Sequence, residues 1–302
     1  MTRSSAWPSA LLALVALLAI APWSRAAPSQ APLRGQTLDF VYDGRDVGHP
    51  LRAYQGRIFL PDLTKTAARS RPVPLIVFLH GTNAEAIDFR WFGGGREGDV
   101  RRIVAALVEA KQIEPVVVAA PSTTLPGAIV NAHTSWPAFD LDRFVARTIR
   151  ELRGVASIDL GRVIVVGHSG AGCNPTGGLL ATLNAVVRPM AILSVDTCMS
   201  PDTAPLLATT DHRTAVVVSY QTHSWTSRGL AAFGKAFQRA VAQAGFPPET
   251  IREIEHRRNI KRPMPHDAMV PLTLNRWLPR LIGLPQQSSG GDEREPRVPS
   301  GR

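Results

Sequence analysis

The stretch Val163-Ile164-Val165-Val166-Gly167-His168-Ser169-Gly170-Ala171-Gly172 predicts the fold of this chain. Its four apolar β-branched residues indicate a buried strand, and the small residues that follow indicate a sharp turn. Such a turn holds Ser169 in a strained conformation and lifts its hydroxyl clear of the sheet edge. It also directs the backbone N–H of Gly170 toward the place where an oxyanion would form. Ser169 is therefore a candidate nucleophile; a glycine-rich strand–helix turn with an incidental serine is the alternative.

On both sides of this turn, apolar strands alternate with segments of helical periodicity. Residues 38–60 predict antiparallel edge strands. Buried strands are predicted at residues 74–79, 116–120, 163–166, 190–195 and 214–220, with a polar strand near 251–256. Helices are predicted at residues 99–111, 139–152, from the serine turn to about 186, at 230–244 and at 270–282. This alternation indicates an α/β fold with a mainly parallel central sheet covered by helices on both faces.

Length and composition predict one catalytic domain over residues 27–284, because 302 residues that are 44% hydrophobic can bury one large core. The formal net charge is +10, but the basic residues are scattered along the chain and nearly all are arginine. Nucleic-acid binders cluster such residues on one face, so we expect an arginine-rich solvated surface and no nucleic-acid partner. Residues 285–302 are rich in Ser, Gly, Pro and charge and predict a disordered tail.

The N-terminus has the pattern of a secretory signal peptide. Arg3 precedes an apolar run at residues 11–21, Pro22 ends the run, and Ser24-Arg25-Ala26 offers a small-x-small cleavage site. The run is short for a membrane span, and no basic stop-transfer cluster follows it directly, so an uncleaved anchor is the less favoured alternative. We expect residues 1–26 to be removed from an exported protein, periplasmic or secreted, with no membrane attachment afterwards. The expectation fails if the exported protein still begins with Met1.

The serine turn resembles the G-x-S-x-G nucleophile elbow of α/β-hydrolases, except that Ala171 stands at the second glycine position and Gly172 follows it. Upstream, an apolar strand ends in His80-Gly81-Thr82. In the family this segment supplies the second oxyanion donor, so the resemblance assigns that donor to the backbone N–H of Thr82, with Gly81 permitting the close approach. The resemblance covers roughly residues 38–284 and implies an α/β-hydrolase fold. Secreted esterases, including polyester depolymerase-like and feruloyl-esterase-like members, are similar at the level of the fold.

The resemblance also implies a histidine as general base, downstream of both Ser169 and an acid. His212 precedes a strand and so lies at the wrong edge of the sheet, and His256 belongs to a polar strand with charged neighbours, which indicates a surface residue. His266 lies after the last strand and before the closing helix, where the family has its histidine. His223, in a loop after the preceding strand, is the competing candidate.

The acid is predicted one strand earlier than in many family members. They carry it after the penultimate strand, but no Asp or Glu occurs between Asp211 and Glu249. The family's alternative position follows the strand before it, and there Asp196 directly succeeds an apolar run. Asp267 is a poor partner for His266 because adjacent side chains seldom face each other. Asp196 is the predicted acid, with a turn or helix-cap aspartate as the alternative.

Other side chains are predicted to lie at the same edge. If the strands before Ser169 and Asp196 are neighbours, as in the family, Cys173 and Cys198 lie close enough for a disulfide that braces the two loops. Two free buried thiols are the alternative. The softer predictions for substrate binding, each as consistent with packing, are the residues His168, Trp136 and His223.

The resemblance implies hydrolysis of a small-molecule or polymeric carboxylic ester through an acyl-enzyme on Ser169, with a Ser169–Asp196–His266 triad. No Cys/His/Asp spacing suggests zinc, and no P-loop occurs, so no cofactor or metal is expected. An exported peptidase or amidase on the same scaffold is one alternative. A non-catalytic binding protein that retains the fold is the other. The sequence gives no indication of the oligomeric state.

Overall fold

The computed structural model describes residues 32–43, 53–83, 87–91, 99–122, 136, 139–198, 200–222, 230–258 and 264–284. The chain divides into two units, Met1–Pro32 and Leu33–Arg302, and every element below belongs to the second. Three of the predictions lie outside the described residues: the signal peptide at residues 1–26, His223, and the tail at residues 285–302.

Eight strands form one sheet in the order β1-β2-β4-β3-β5-β6-β7-β8. They are β1 (Gly35–Asp43), β2 (Ala53–Pro61), β3 (Val73–Leu79), β4 (Val117–Ser122), β5 (Ile158–His168), β6 (Ala191–Val195), β7 (Ala215–Gln221) and β8 (Arg252–Arg257). β1 pairs with β2, and β2 with β4, in antiparallel register. The six strands from β3 to β8 all run parallel to one another. The predicted, mainly parallel sheet with antiparallel strands at one edge is therefore confirmed.

The central strands are apolar on both faces, as strands covered on both sides must be. Along β3 and β5, alternate residues point to opposite sides: Val77 and Val165 belong to one hydrophobic core, whereas Ile76 and Ile164 belong to the other. All seven residues of β3 are buried. This two-sided burial explains the uninterrupted apolar runs in the sequence.

The helices cover the two faces of the sheet. They are α1 (Asp62–Ser70), α2 (Val100–Glu109), α3 (Leu141–Glu151), α4 (Gly178–Ala181), α5 (Ala204–Ala208), α6 (Leu230–Ala244) and α7 (Met269–Ile282). The helices α3 and α6 pack on one face, and α2 and α7 on the other. Their positions match four of the predicted helices. Among the helices of the described residues, none combines the length and hydropathy that a membrane span needs.

The structure corrects the prediction of a helix from the serine turn to about residue 186. Instead, Ser169–Gly172 forms a single 3-10 turn, and α4 begins only at Gly178. Pro175 disfavours a helical conformation at the residue before it. Gly178 has φ 51°, and its N–H donates to the carbonyl of Trp136 at 3.1 Å instead of continuing a helix. The oxyanion donor predicted at Gly170 therefore lies on a short turn, without a long helix behind it.

Candidate active site

The ends of three neighbouring parallel strands define the site. In the sheet, β3 and β6 lie on either side of β5. The register pairs Leu79 with Gly167, and His168 with Val195. Consequently the loop after β3, the turn at Ser169 and Asp196 all emerge at the carboxyl edge of the sheet, where open α/β sheets place their ligand sites.

Ser169 occupies the turn that directly follows β5. Its φ is 55°, in the left-handed region that non-glycine residues seldom adopt, and its exposed fraction is 8%. A left-handed conformation costs an L-residue about 1–2 kcal/mol. Strain of this kind is typical of functional turns, where surrounding structure maintains it. The predicted sharp turn at Ser169 is thus present.

The loop after β3 passes directly beside the serine. A Cβ atom added at Gly81 would lie 2.5 Å from the Cβ of Ser169, 2.9 Å from its Oγ and 3.3 Å from the backbone nitrogen of Gly170. Only glycine therefore fits at position 81. Thr82, the predicted second donor, follows immediately, and its side chain is exposed. The structure thus places Gly81, the residue before Thr82, directly against the Ser169 side chain and the Gly170 nitrogen.

Two buried side chains support the loop after β3. The indole Nε1 of Trp136 donates to the carbonyl of His80 at 3.0 Å, and the two rings meet edge to face with centroids 4.9 Å apart. His80 Nδ1 donates to the carbonyl of Gly81 at 2.6 Å. Burial lowers the pKa of His80 to about 3, so its ring is neutral at physiological pH. Trp136 is buried, and the contacts described for its side chain are the hydrogen bond to His80 and ring packing; its role in substrate binding stays a prediction.

Asp196 and His266 are in direct contact. His266 Nδ1 donates to Asp196 Oδ2 at 2.7 Å, with His266 on the 3-10 turn His266–Ala268 after β8. The carboxylate is completely buried, whereas the imidazole is 27% exposed. Asp196 has φ 47°, a left-handed value like that of Ser169. A carboxylate that accepts from Nδ1 fixes the tautomer in which Nε2 can accept a proton.

The other histidines considered in the sequence lie elsewhere or outside the described residues. His256 is exposed, stacks on the Tyr220 ring at 4.7 Å and pairs through Nε2 with the Thr222 hydroxyl at 2.8 Å. His212 is exposed in the turn before β7. The structure thus brings His266, among the described histidines that follow Ser169, against the predicted acid.

Gln221 is a site residue that the sequence analysis missed. It ends β7, next to β6 in the sheet, and its side-chain Nε2 donates to Asp196 Oδ2 at 3.0 Å. Its backbone N–H also points at Asp196 Oδ1, at 3.4 Å. The available signal was a polar residue at the end of an apolar strand, at the carboxyl edge where the other site residues collect.

His168, predicted as a substrate contact, is completely buried beneath the site. Its ring packs against that of His266 with centroids 4.5 Å apart, and its Nε2 lies 3.9 Å from Asp267 Oδ1. Burial, aided by the neighbouring charge of His266, lowers the pKa of His168 to about 3. Burial also raises the pKa of Asp267. His168 is therefore a neutral ring that supports His266, and its burial leaves no face for direct contact with a substrate.

Cys173 and Cys198 form the predicted disulfide, with their Cα atoms 4.8 Å apart. Cys173 follows the 3-10 turn of Ser169, and its sulfur lies 3.7 Å from the Ser169 carbonyl. Cys198 lies two residues beyond Asp196. The bridge therefore ties the turn that carries the serine to the loop that carries the acid. A disulfide is also consistent with an exported protein.

Removing this bridge is expected to destabilise the protein measurably. In the chain-entropy model, a cross-link between residues 25 apart contributes about 3.5 kcal/mol to the free energy of unfolding. We expect Cys173→Ala/Cys198→Ala to lose this amount in urea unfolding under oxidising conditions. Each single Cys→Ala variant should lose about as much, because either one removes the bridge. A double variant as stable as the oxidised wild type would contradict the prediction.

The described residues contain no group of three or more His, Cys, Asp or Glu side chains that could hold a metal ion. What the site does hold is a strained serine, a glycine-lined approach to it and a histidine oriented by a buried carboxylate. Chemically, these groups suit proton removal from a hydroxyl and stabilisation of an oxyanion.

Comparisons with known proteins address the fold. No protein-family model matches the chain, and no curated protein matches its sequence. Solved structures match. One is a ferulic acid esterase, with a TM-score of 0.57, 14% identity, and coverage of 83% of this chain and 99% of that one. The feruloyl esterase module from Clostridium thermocellum matches with a TM-score of 0.55 and 12% identity, and the match covers 83% of this chain and 89% of that one.

A third match is the S-formylglutathione hydrolase from Staphylococcus aureus, with a TM-score of 0.50, 10% identity, and coverage of 82% of this chain and 99% of that one. Identities this low show the fold alone. The protein therefore has the α/β-hydrolase fold.

Proposed function

We propose that the protein hydrolyses carboxylic esters through an acyl-enzyme on Ser169. The observation that carries the proposal is the 2.7 Å hydrogen bond between His266 Nδ1 and the buried Asp196, at the same sheet edge as Ser169. A buried carboxylate is costly unless it is paired, and this one is paired to an imidazole whose opposite nitrogen can act as a base. The esterase and hydrolase neighbours support the choice of an ester as substrate.

The proposed reaction has two stages. His266 Nε2 takes the proton of Ser169 Oγ as the oxygen attacks the ester carbonyl carbon, and the imidazolium then protonates the departing alkoxide to release an alcohol. Water next attacks the acyl-enzyme, with His266 again accepting and returning the proton, which releases the acid and restores Ser169. In both stages the N–H groups of Gly170 and Thr82 stabilise the oxyanion, as the oxyanion hole of such enzymes does.

Covalent labelling tests the proposal. A fluorophosphonate should form one adduct per chain, and peptide mass spectrometry should place it on Ser169, because the activated hydroxyl attacks phosphorus as it would an acyl carbon. The labelled protein should lose its turnover of p-nitrophenyl butyrate. Protein that fails to react would be a binding protein instead, and an adduct on another residue would refute the assignment. Faster turnover of a matched p-nitroanilide than of the ester would assign the site to a peptidase or amidase.

A further inference from the structure

The amide of Gln221 is buried at the back of the site, where it has two different partners. Its exposed fraction is 1%. Its Oε1 accepts from the backbone N–H of Met264 at 3.1 Å, and its Nε2 donates to Asp196 Oδ2 at 3.0 Å. These partners fix which way the amide faces, because a backbone N–H can only donate and a carboxylate can only accept.

This side chain bridges the two segments that meet in the Asp196–His266 contact. Gln221 belongs to β7, which lies between β6 and β8 in the sheet. Asp196 follows β6, and Met264 lies two residues before His266 in the segment after β8. Asp196 Oδ2 thus accepts from both Gln221 Nε2 and His266 Nδ1. One amide therefore fixes the carboxylate and, through Met264, the start of the histidine turn.

We propose that Gln221 is a positioning residue that sets the geometry of the Asp196–His266 pair; this inference rests on the proposed function. With the amide in place, the carboxylate is oriented by the Gln221 backbone and side chain and keeps Oδ2 directed at Nδ1. Without it, the carboxylate can rotate and the histidine turn loses an anchor. A displacement of about 1 Å in a reacting group can cost about 10²-fold in rate. Gln221 would thus contribute to the rate without touching the substrate.

Two variants at this position separate positioning from general destabilisation. Gln221→Leu keeps a similar volume and removes both side-chain hydrogen bonds, and we expect it to lower kcat/KM for p-nitrophenyl butyrate by about 10²-fold, mostly in kcat. Ser219→Ala is the matched control, because it removes a buried side-chain hydrogen bond, to Glu255, two residues earlier in β7. The control should retain near wild-type kcat/KM.

Gln221→Glu gives a readout that a purely structural role would not move. It keeps an acceptor for Met264 but replaces the amide donor with a second carboxyl group buried against Asp196, and two carboxyl groups this close share one proton near neutral pH. The groups around His266 in the wild type are Asp196, which follows β6, His168 at the end of β5, and the adjacent Asp267. The charge of Arg90 also acts on His168 and Asp267. Loss of the shared proton at higher pH adds a negative charge beside His266, and this charge favours the imidazolium. The dependence of kcat/KM on pH should therefore differ in shape from that of the wild type. If Gln221→Leu does not fold, this variant carries the test.

A proton NMR measurement tests the same inference without turnover. The low-field resonance of His266 Nδ1–H, assigned by its loss in Asp196→Asn, should broaden or shift in Gln221→Leu and stay unchanged in Ser219→Ala. Ester turnover by the wild type tests the proposed function, whereas this resonance tests Gln221 alone. An unchanged resonance in Gln221→Leu, equal losses in Gln221→Leu and Ser219→Ala, or a pH dependence of Gln221→Glu identical to that of the wild type would overturn the proposal.

Discussion

Ser169→Ala is expected to lower kcat for p-nitrophenyl butyrate by about 10⁶-fold, the loss measured when the nucleophile of a serine hydrolase is removed. The change deletes only the hydroxyl and keeps the Cβ that lies against Gly81. Alanine is also no worse suited than serine to the left-handed backbone at this position. We therefore expect an unchanged circular-dichroism spectrum and unfolding midpoint. Initial rates of ester hydrolysis on the purified variant measure the effect.

A second serine variant controls for incidental effects on the core. Ser219→Ala removes another buried hydroxyl, in β7, and should hydrolyse the ester at close to the wild-type rate. Ser169→Ala that retained wild-type turnover would show that another group is the nucleophile. Equal losses in both variants would show that packing, and not the Ser169 hydroxyl, limits the rate.

Asp196→Asn is expected to lower kcat by about 10⁴-fold, the loss known for the corresponding change in a serine protease triad. Donors face both carboxylate oxygens: Oδ1 faces the Gln221 N–H, and Oδ2 faces Gln221 Nε2 and His266 Nδ1. An asparagine has only one oxygen, so one side must place NH₂ against a donor. With the NH₂ toward His266, the imidazole takes the opposite tautomer, and its Nε2 can no longer accept the serine proton.

The neighbouring carboxylate supplies a matched control for this prediction. Asp267 is half-buried beside His266 and becomes Asn in the control variant, which removes one negative charge from the same site. Rates measured on the pH plateau should fall far less for Asp267→Asn than for Asp196→Asn. The reverse order would show that Asp267 is the acid and that the sequence assignment of Asp196 is incorrect.

The strands and long helices could be predicted because their apolar residues report burial directly. The buried runs of β3 to β7 and the amphipathic pattern of α2 are local signals, and the structure confirms them. The helix α1 was not predicted, because only Thr64 and Ala68 are buried in it and it shows no apolar stripe. The helix after Ser169 was predicted wrongly, because Pro175 interrupts it and the Gly178 N–H donates to the carbonyl of Trp136, which is distant in sequence.

The candidate site also contains residues that could be predicted from the sequence and one that could not. Asp196 was predictable because the chain has no Asp or Glu between Asp211 and Glu249, which is a property of the sequence itself. The proximity of Cys173 and Cys198 followed from the strand order that the resemblance implied, and the structure contains that disulfide. Gln221 was not predictable, because its importance depends on β7 lying between β6 and β8 and on Met264 facing it. A polar residue at the end of a strand does not indicate which residues it contacts in the fold.

The left-handed backbone at both Ser169 and Asp196 has a consequence for laboratory evolution. At each position glycine would relieve about 1 kcal/mol of strain, since it lacks the Cβ that causes it. A screen for heat resistance alone would thus favour glycine at Ser169 and discard the hydroxyl, whereas at Asp196 the buried donors that glycine would leave unpaired oppose the change. Thermostable variants of this protein have to be selected for turnover at the same time, because the site is a place where stability and activity oppose each other.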